Sequence, residues 1–321
     1  MWKTIVRRLL ILIPQLFVLS LVIFGLAQIM PGDALRGLVG PDTPPSVLES
    51  LQEMHGLNDP WYIQYGRWLR GIFLHGDFGT SLTHSRPVTA IIGERIFNTM
   101  RLSLLTTLFT YIIAIPLGLW AGRKNGKAVD KGIMLYTFIA LSMPTVVFST
   151  VNLLIYAFNL GWFPTGGSVG ATEVAGTLSF TISRIHHLIL PAISLALIST
   201  VSIIYFLRSE IVDYEASDFV LTARAKGVPD NRVYSNHILR NSFLPIAGGM
   251  GGIIAGLFGG SIFIETIFSY PGMGELFLTA VQGRDFPVVN ALVMFFAIMS
   301  AAAMLFSDII ITVVDPRIRI K

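Results

Sequence analysis

The first chemistry to test in this chain is nucleophilic. Gly166-Gly167-Ser168-Val169-Gly170 has the spelling of the G-x-S-x-G elbow, in which a serine sits on a sharp turn between a strand and a helix. Here the stretch follows Trp162-Phe163-Pro164 in a glycine-rich segment, and the nearest histidines, His186 and His187, stand at the mouth of an apolar run, so a flexible turn is the expectation. Gly122-Arg123-Lys124-Asn125-Gly126-Lys127 shares part of the spelling of a phosphate-binding loop. It has three residues between its glycines where four are needed, and Ala128 stands where a Ser or Thr would hold magnesium. No His-Glu-x-x-His, metal-ligand spacing or carboxylate pair falls within an apolar run, and His186-His187 reads as an interfacial pair. Two isolated carboxylates remain, Glu265 and Asp308, and ionisable groups in such places are functional candidates by default. Proton-coupled transport would need a connected relay of them. Asp308 is instead expected to pair with Arg317 or Arg319, and Glu265 to reach the outer surface. With no cysteine there is no thiol catalysis and no thiolate metal site. A non-catalytic chain with no metal or cofactor of its own is expected.

Composition says where such a chain belongs. Of its 321 residues 53% are apolar and 13% charged, with a mean hydropathy of +0.68, against about 25% charged for soluble domains. That much apolar surface needs lipid. Stretches free of Lys, Arg, Asp and Glu run over Leu9–Met30, Leu102–Gly122, Gly132–Leu160, Ile185–Leu207, Asn241–Ile264 and Phe286–Ser307. Each offers about 20 residues or more, enough to cross a hydrocarbon core of roughly 30 Å. The fold class is therefore an all-α integral membrane protein with six transmembrane helices. A signal peptide is the weaker reading of the first run, which is longer than the usual apolar region and lacks a small-x-small cleavage site.

The scarce positive charges set the orientation. Of the 23 Lys and Arg, 15 lie in the N-terminus (Lys3, Arg7, Arg8), Arg123–Lys131, Arg208–Arg240 and the C-terminus (Arg317, Arg319, Lys321). Short cytoplasmic loops retain positive charge, so both termini are expected in the cytoplasm of a multi-pass cell-membrane protein. The net charge of +4 is modest and no nucleic-acid partner is expected.

The segment 31–99 is then external. Its Pro44-Pro45 and Asp59-Pro60 mark two short helices, the second carrying Trp61, Tyr65, Trp68, Leu69, Ile72 and Phe73 at helical spacing. Such a helix packs against the outer ends of spans or offers a docking surface. On the cytoplasmic side, Ser217 or Asp218 can cap a short helix through Ala223 and Lys226 that Gly227 stops, with Pro229 beyond. In the fifth run Gly248, Gly252, Gly256 and Gly260 repeat every four residues, the spacing that lets another helix approach closely in lipid.

Asp218-Phe219-Val220-Leu221-Thr222-Ala223-Arg224-Ala225-Lys226-Gly227, followed by His237-Ile238-Leu239-Arg240-Asn241-Ser242-Phe243-Leu244-Pro245, resembles the coupling segment of permease subunits in binding-protein-dependent ABC importers, specifically the dipeptide/oligopeptide permease B group. Pro31-Gly32-Asp33, Gly76-Asp77-Phe78-Gly79-Thr80-Ser81, Ser142-Met143-Pro144-Thr145, Glu265-Thr266-Ile267-Phe268-Ser269-Tyr270-Pro271-Gly272-Met273-Gly274 and Asp315-Pro316-Arg317 extend the likeness over nearly the whole length. Leu221-Thr222-Ala223 replaces the Glu-Ala-Ala of the broad family, and Gly227 stands 18 residues before Pro245, both as in the peptide branch.

The resemblance implies a type I ABC importer permease fold with a helical external segment between spans 1 and 2. Residues 1–93 would hold the first span and that segment, 94–314 the transmembrane core with its coupling segment at about 208–243, and 315–321 a cytoplasmic tail. The implied partners are a second homologous permease, two P-loop ATPase subunits that hold ATP and Mg, an external substrate-binding protein and lipid. Thr222, Ala223, Arg224, Ala225, Lys226 and Gly227 would enter an ATPase subunit. Glu265, Tyr270, Pro271, Gly272 and Gly274 would lie at the external gate or binding-protein contact, and Gly248, Gly252, Gly256 and Gly260 at a helix or permease interface. The cargo implied is a di- or oligopeptide, with nickel or glutathione as alternatives. A stand-alone secondary transporter, which would show internal repeats, and a membrane hydrolase using Ser168 are the competing classes.

Overall fold

The computed structural model describes residues 2–29, 58–242 and 261–314, with isolated positions 44, 46, 47, 50, 53, 246 and 249. Its helices are α1 (Trp2–Ile29), α2 (Trp61–His75), α3 (Val88–Arg123), α4 (Ala128–Ser142), α5 (Thr145–Asn152), α6 (Leu178–Glu215), α7 (Asp218–Ala225), α8 (Asp230–Arg232), α9 (Met273–Gln282) and α10 (Phe286–Val314). Helices α5 and α8 run on as π-helical turns, Leu153–Asn159 and Val233–Ile238, and residues 261–267 are also helical. An isolated antiparallel bridge, Thr80 to Pro87, is the extended pairing among the described residues.

The centre of the molecule is the pair α3 and α6, 36 and 38 residues long, each longer than a bilayer's hydrocarbon needs. They lie side by side and run in the same direction. A Cβ on Gly118 would stand 3.0 Å from Leu207 Cδ2, and one on Gly122 would stand 2.8 Å from Ile211 Cβ. The buried stripe of α3, from Thr99 through Ser103, Thr106, Thr110 and Ala114 to Gly118, is made of small side chains, which is what lets two backbones approach in lipid. Apolar side chains then fill both ends. Ile204, Leu207, Ile211, Val220, Val233 and Ile238 form a core at the α7 end, and Leu102, Leu190, Ile264, Phe268 and Tyr270 one toward the other end. Helix α10 packs along α1 and α9, and Val88, Ile91, Met273, Leu276, Val288 and Leu292 form a third core there.

The third apolar run does not cross as one rod. It splits at Met143-Pro144 into α4 and α5 with its π turn, bent by 105°. Pro144 forces the residue before it out of the helical region, and Met143 is extended at φ −92°, ψ 122°. Among the described residues three helices, Val88–Arg123, Leu178–Glu215 and Phe286–Ser307, are long and apolar enough to cross a membrane, and the bent pair is a fourth candidate. Within the 28-residue α1 the described side chains, 10–26, form an apolar stretch. The fifth run lies mostly outside the described residues, and so do Gly248, Gly252, Gly256 and Gly260.

Candidate functional site

At one end of the α3–α6 pair the chain leaves α6, turns at Ser217 and forms α7. The Ser217 carbonyl accepts from the amides of Val220 and Leu221 at 3.0 and 3.1 Å, while its hydroxyl bonds back to the Tyr214 carbonyl and caps nothing. Helix α7 closes with two crossed bonds, Gly227 N–H to Arg224 O at 2.9 Å and Val228 N–H to Ala223 O at 3.2 Å. That is a Schellman ending, and it needs the left-handed φ of +76° that Gly227 adopts. Val220 and Ala223 are buried against Val233, Tyr234 and Ile238. The opposite face, with Leu221, Thr222, Ala225 and Lys226, is exposed.

Polar bonds fasten this helix to the long pair. Arg224 reaches Glu215 of α6 at 3.1 Å and Asp230 of α8 at 3.5 Å, and the Tyr234 hydroxyl donates to the same Glu215 oxygen at 2.7 Å. The Glu215 hydrogen bond holds the Arg224 guanidinium above its usual pKa, and burial pushes the Tyr234 phenol up to about 12. Arg123, the last residue of α3, bonds Asn231 at 2.6 Å and lies 5.0 Å over the Tyr234 ring. About two helical turns before Glu215, Arg208 of α6 holds Asp130 of α4 through two nitrogens at 2.6 and 2.8 Å. A push on α7 therefore bears on α3, α4 and α6 together.

At the other end of α3 stands Glu265. It is fully buried and does not reach the surface, which corrects the expectation from sequence. Its carboxylate accepts from Thr99 Oγ1 at 2.7 Å on one oxygen, and from the amides of Gly274 and Glu275 at 2.6 and 3.0 Å on the other. The two amides are first-turn donors of α9, so Glu265 caps that helix from outside it. Gly272 and Gly274 are required by crowding. A Cβ at Gly272 would lie 2.3 Å from Glu265 Cδ, and one at Gly274 would lie 2.6 Å from Ile262 Cα. Asn98 of α3 donates to the Pro271 carbonyl at 2.8 Å, and the buried Tyr270 hydroxyl donates to the Asn98 carbonyl at 3.3 Å. Arg95 of α3 pairs with Glu275.

The five residues expected at this end thus come together, but on partners that sequence did not point to: Thr99, Asn98, Arg95 and Glu275. A second buried carboxylate at this end was also missed. Asp285 accepts from Ser81 Oγ at 2.5 Å and from the amides of Leu82 and Thr83 at 3.1 Å each, tying the turn after Gly79 to the α9–α10 corner. Ser81 ends a stretch that the family likeness singled out, yet no local pattern names a partner more than 200 positions away.

Neither of the enzyme-like motifs is assembled. Gly166 and Gly167 lie against the 268–269 backbone, where the Gly167 amide meets the Phe268 and Ser269 carbonyls at 3.2 Å each. His186 Nε2 and His187 Nδ1 bond the backbone carbonyls of Trp162 and Ser183 at 2.8 and 2.7 Å, and among the described hydrogen bonds none joins Ser168 to a histidine or an acid. Gly122 and Gly126 flank the α3–α4 turn, whose Gly126 amide bonds Asp130 at 2.8 Å. Asp308 lies in α10, its side chain outside the described residues, as are Arg317 and Arg319.

A multi-pass helical membrane protein, with a small exposed helix braced at one end of its central pair and a carboxylate-capped turn at the other, is the class these features define. The family of binding-protein-dependent transport system inner membrane components matches residues 114–320, and its N-terminal companion matches residues 1–103; the chain belongs to this family. The family is one of membrane permease components and not of enzymes. Among similar proteins, the oligopeptide transport system permease protein AppB of Bacillus subtilis (strain 168) is 38% identical over 98% of each chain. The glutathione transport system permease protein GsiC of Salmonella paratyphi A is 32% identical over 100% of each. A chain of the inward-facing MetNI methionine ABC transporter shares the fold, with a TM-score of 0.54 at 13% identity over 71% of this chain and 97% of that one.

Proposed function

We propose that the chain is the permease subunit of an ATP-driven importer of di- or oligopeptides. The observation that carries this is the full-length similarity to the oligopeptide permease AppB, together with α7, whose exposed face is braced from behind by α3 and α6. In this reading six helices cross the membrane with both termini in the cytoplasm. The first span and external segment (1–93) precede a core (94–314), and a second permease lies against the glycine ridge of the fifth span.

Two ATPase subunits hold ATP and Mg, and each receives a coupling helix. Here the groove-facing residues would be Leu221, Thr222, Ala225 and Lys226. Closure of the ATPases moves α7, and the Glu215–Arg224–Tyr234 cluster passes the displacement into α6 and α3. About 36 Å along α3 from Arg123 stands Thr99, whose bond to Glu265 puts the turn 270–275 on the same rigid body. Alternating access follows if that body rocks against its counterpart in the second permease.

Glutathione is the alternative cargo, favoured by the GsiC relative. Proteoliposomes of the purified complex, with ATP inside and its binding protein outside, decide between them when offered a labelled dipeptide, a pentapeptide, glutathione and a nickel chelate. ATP-dependent accumulation of peptide is expected. Accumulation of glutathione or nickel alone overturns the peptide assignment, and ATP-independent uptake overturns the importer reading.

A further inference from the structure

We propose that α2 is a lipid-bound helix, seated in the outer part of the same bilayer that α1 enters and stapled to α1 through Tyr65. Tyr65 is buried, its hydroxyl 2.7 Å from Ser20 Oγ, and the rings of Phe17 and Phe24 meet it edge-on at 6.4 and 5.3 Å. Trp68, one turn on, lies 6.0 Å from Phe24. The staple does not sit beyond the membrane end of α1. Ser20 lies inside the charge-free run Leu9–Met30 of α1, ten residues before its end, so the contact falls within the apolar run. A helix in the interface plane sinks about 5–10 Å into the headgroup and acyl boundary, where it meets the apolar part of a neighbouring span.

The rest of α2 is sorted for that position. At 100° per residue, Tyr65, Trp68 and Ile72 face α1, Tyr62, Leu69 and Phe73 form the next flank, and Arg67 and Arg70 fall on the far side. Tyr62 is 60% exposed, and Phe73, at 80%, is the most exposed large apolar side chain among the described residues. On the face of α1 that carries Ser20 and Phe24, Leu10, Ile13 and Phe17 are themselves half open or more. Arg67, paired with Asp59 at 2.5 Å, and Arg70 are placed to reach the phosphates. Hydrocarbon covers the apolar flank at the lowest cost because its neighbour already lies in it. From α2 the chain turns at Gly76, φ +61°, directly into the stretch that Asp285 grips, so lipid seating sets the level of the external segment against the α9–α10 corner.

The inference rests on membrane residence and not on the cargo. Since the chain has no cysteine, Tyr62→Cys, Phe73→Cys, Arg70→Cys and, as an in-span reference, Val22→Cys each give a single labelling site. Nitroxides there, in the full chain with its co-purifying subunits in phosphatidylcholine–phosphatidylglycerol vesicles, report collisions with oxygen and with a water-soluble nickel complex. Positions 62 and 73 are expected to follow position 22, with oxygen the more effective relaxant, and position 70 to show the reverse. Greater nickel access at 62 and 73 overturns the proposal, and exclusion of both reagents there shows a protein cover and overturns it equally. The parent chain provides a measurement that needs no change on the apolar flank. Trp61, 54% exposed, should lose emission in vesicles of acyl-brominated lipid, and the loss should shrink in Trp61→Phe. Equal quenching in the two chains counts against lipid seating.

Discussion

Thr99 donates a 2.7 Å hydrogen bond to Glu265 and accepts one of 2.7 Å from the amide of Met273, so one hydroxyl joins α3, the helical residues before the 268–272 turn and the start of α9. The other oxygen of that carboxylate accepts from the amides of Gly274 and Glu275, so each oxygen has its own donors. Glu265→Gln keeps the volume but sets an amide NH2 against Thr99 or against the Gly274 and Glu275 N–H groups. A loss of about 1–3 kcal/mol is expected from the unpaired buried donor, with Glu265→Ala costing more. Thermal unfolding of the reconstituted chain measures it, and an unchanged midpoint in both variants would remove the capping role.

Gly272 and Gly274 should respond differently to the same added methyl. At Gly274 the obstacle is Ile262 backbone, which cannot step aside, whereas at Gly272 it is the Glu265 side chain. Each Gly→Ala change is expected to cost about 1–3 kcal/mol by overpacking. In a Glu265→Ala background the Gly272→Ala cost should fall while the Gly274→Ala cost persists, a non-additivity that a double-mutant cycle reads directly.

Gly227 tests the coupling role proposed for α7. No atom lies within 4 Å of a Cβ there, so the whole penalty of a side chain comes from φ +76°. Gly227→Ala should cost about 1–2 kcal/mol, Gly227→Asn less, and Gly227→Val more. Transport per ATP hydrolysed in proteoliposomes should fall in the order Asn, Ala, Val; full coupling in the Val variant would dismiss the left-handed stop as a functional feature.

Asp285 holds the 81–83 turn through two amides and one hydroxyl. Ser81→Ala removes one of three donors and should shift stability by about 1 kcal/mol. Asp285→Ala leaves both amides unpaired and should release the turn, visible as faster amide exchange at Leu82 and Thr83 with Tyr65 and Trp68 unaffected. Unchanged exchange at those amides would show that the turn holds itself.

Much of this architecture is local and was legible. Membrane residence, the apolar runs that form α3, α6 and α10, and the short helix 218–225 with its glycine stop all follow from hydropathy or from one residue's φ. Pro144 lay in plain view inside the third run, yet its 105° bend needed the structure, because membrane helices often absorb a proline, as α3 does at Pro116 and α6 at Pro191. Glu265 was misread for a related reason. Its distance from the end of an apolar run suggested an outward-facing carboxylate, and burial was decided by donors on residues 99, 274 and 275.

By itself the sequence determined that the chain lives in lipid, where its charges cluster and where a helix must stop, since each depends on neighbours a few positions apart. Only the tertiary structure decided which charges are buried and what they bind. Asp130 with Arg208, Glu265 with Thr99, and Asp285 with Ser81 lie 78, 166 and 204 positions apart. Such pairs form where packing has already removed water, and a buried carboxylate is tolerated only when folding delivers donors to it, a condition no run of residues encodes.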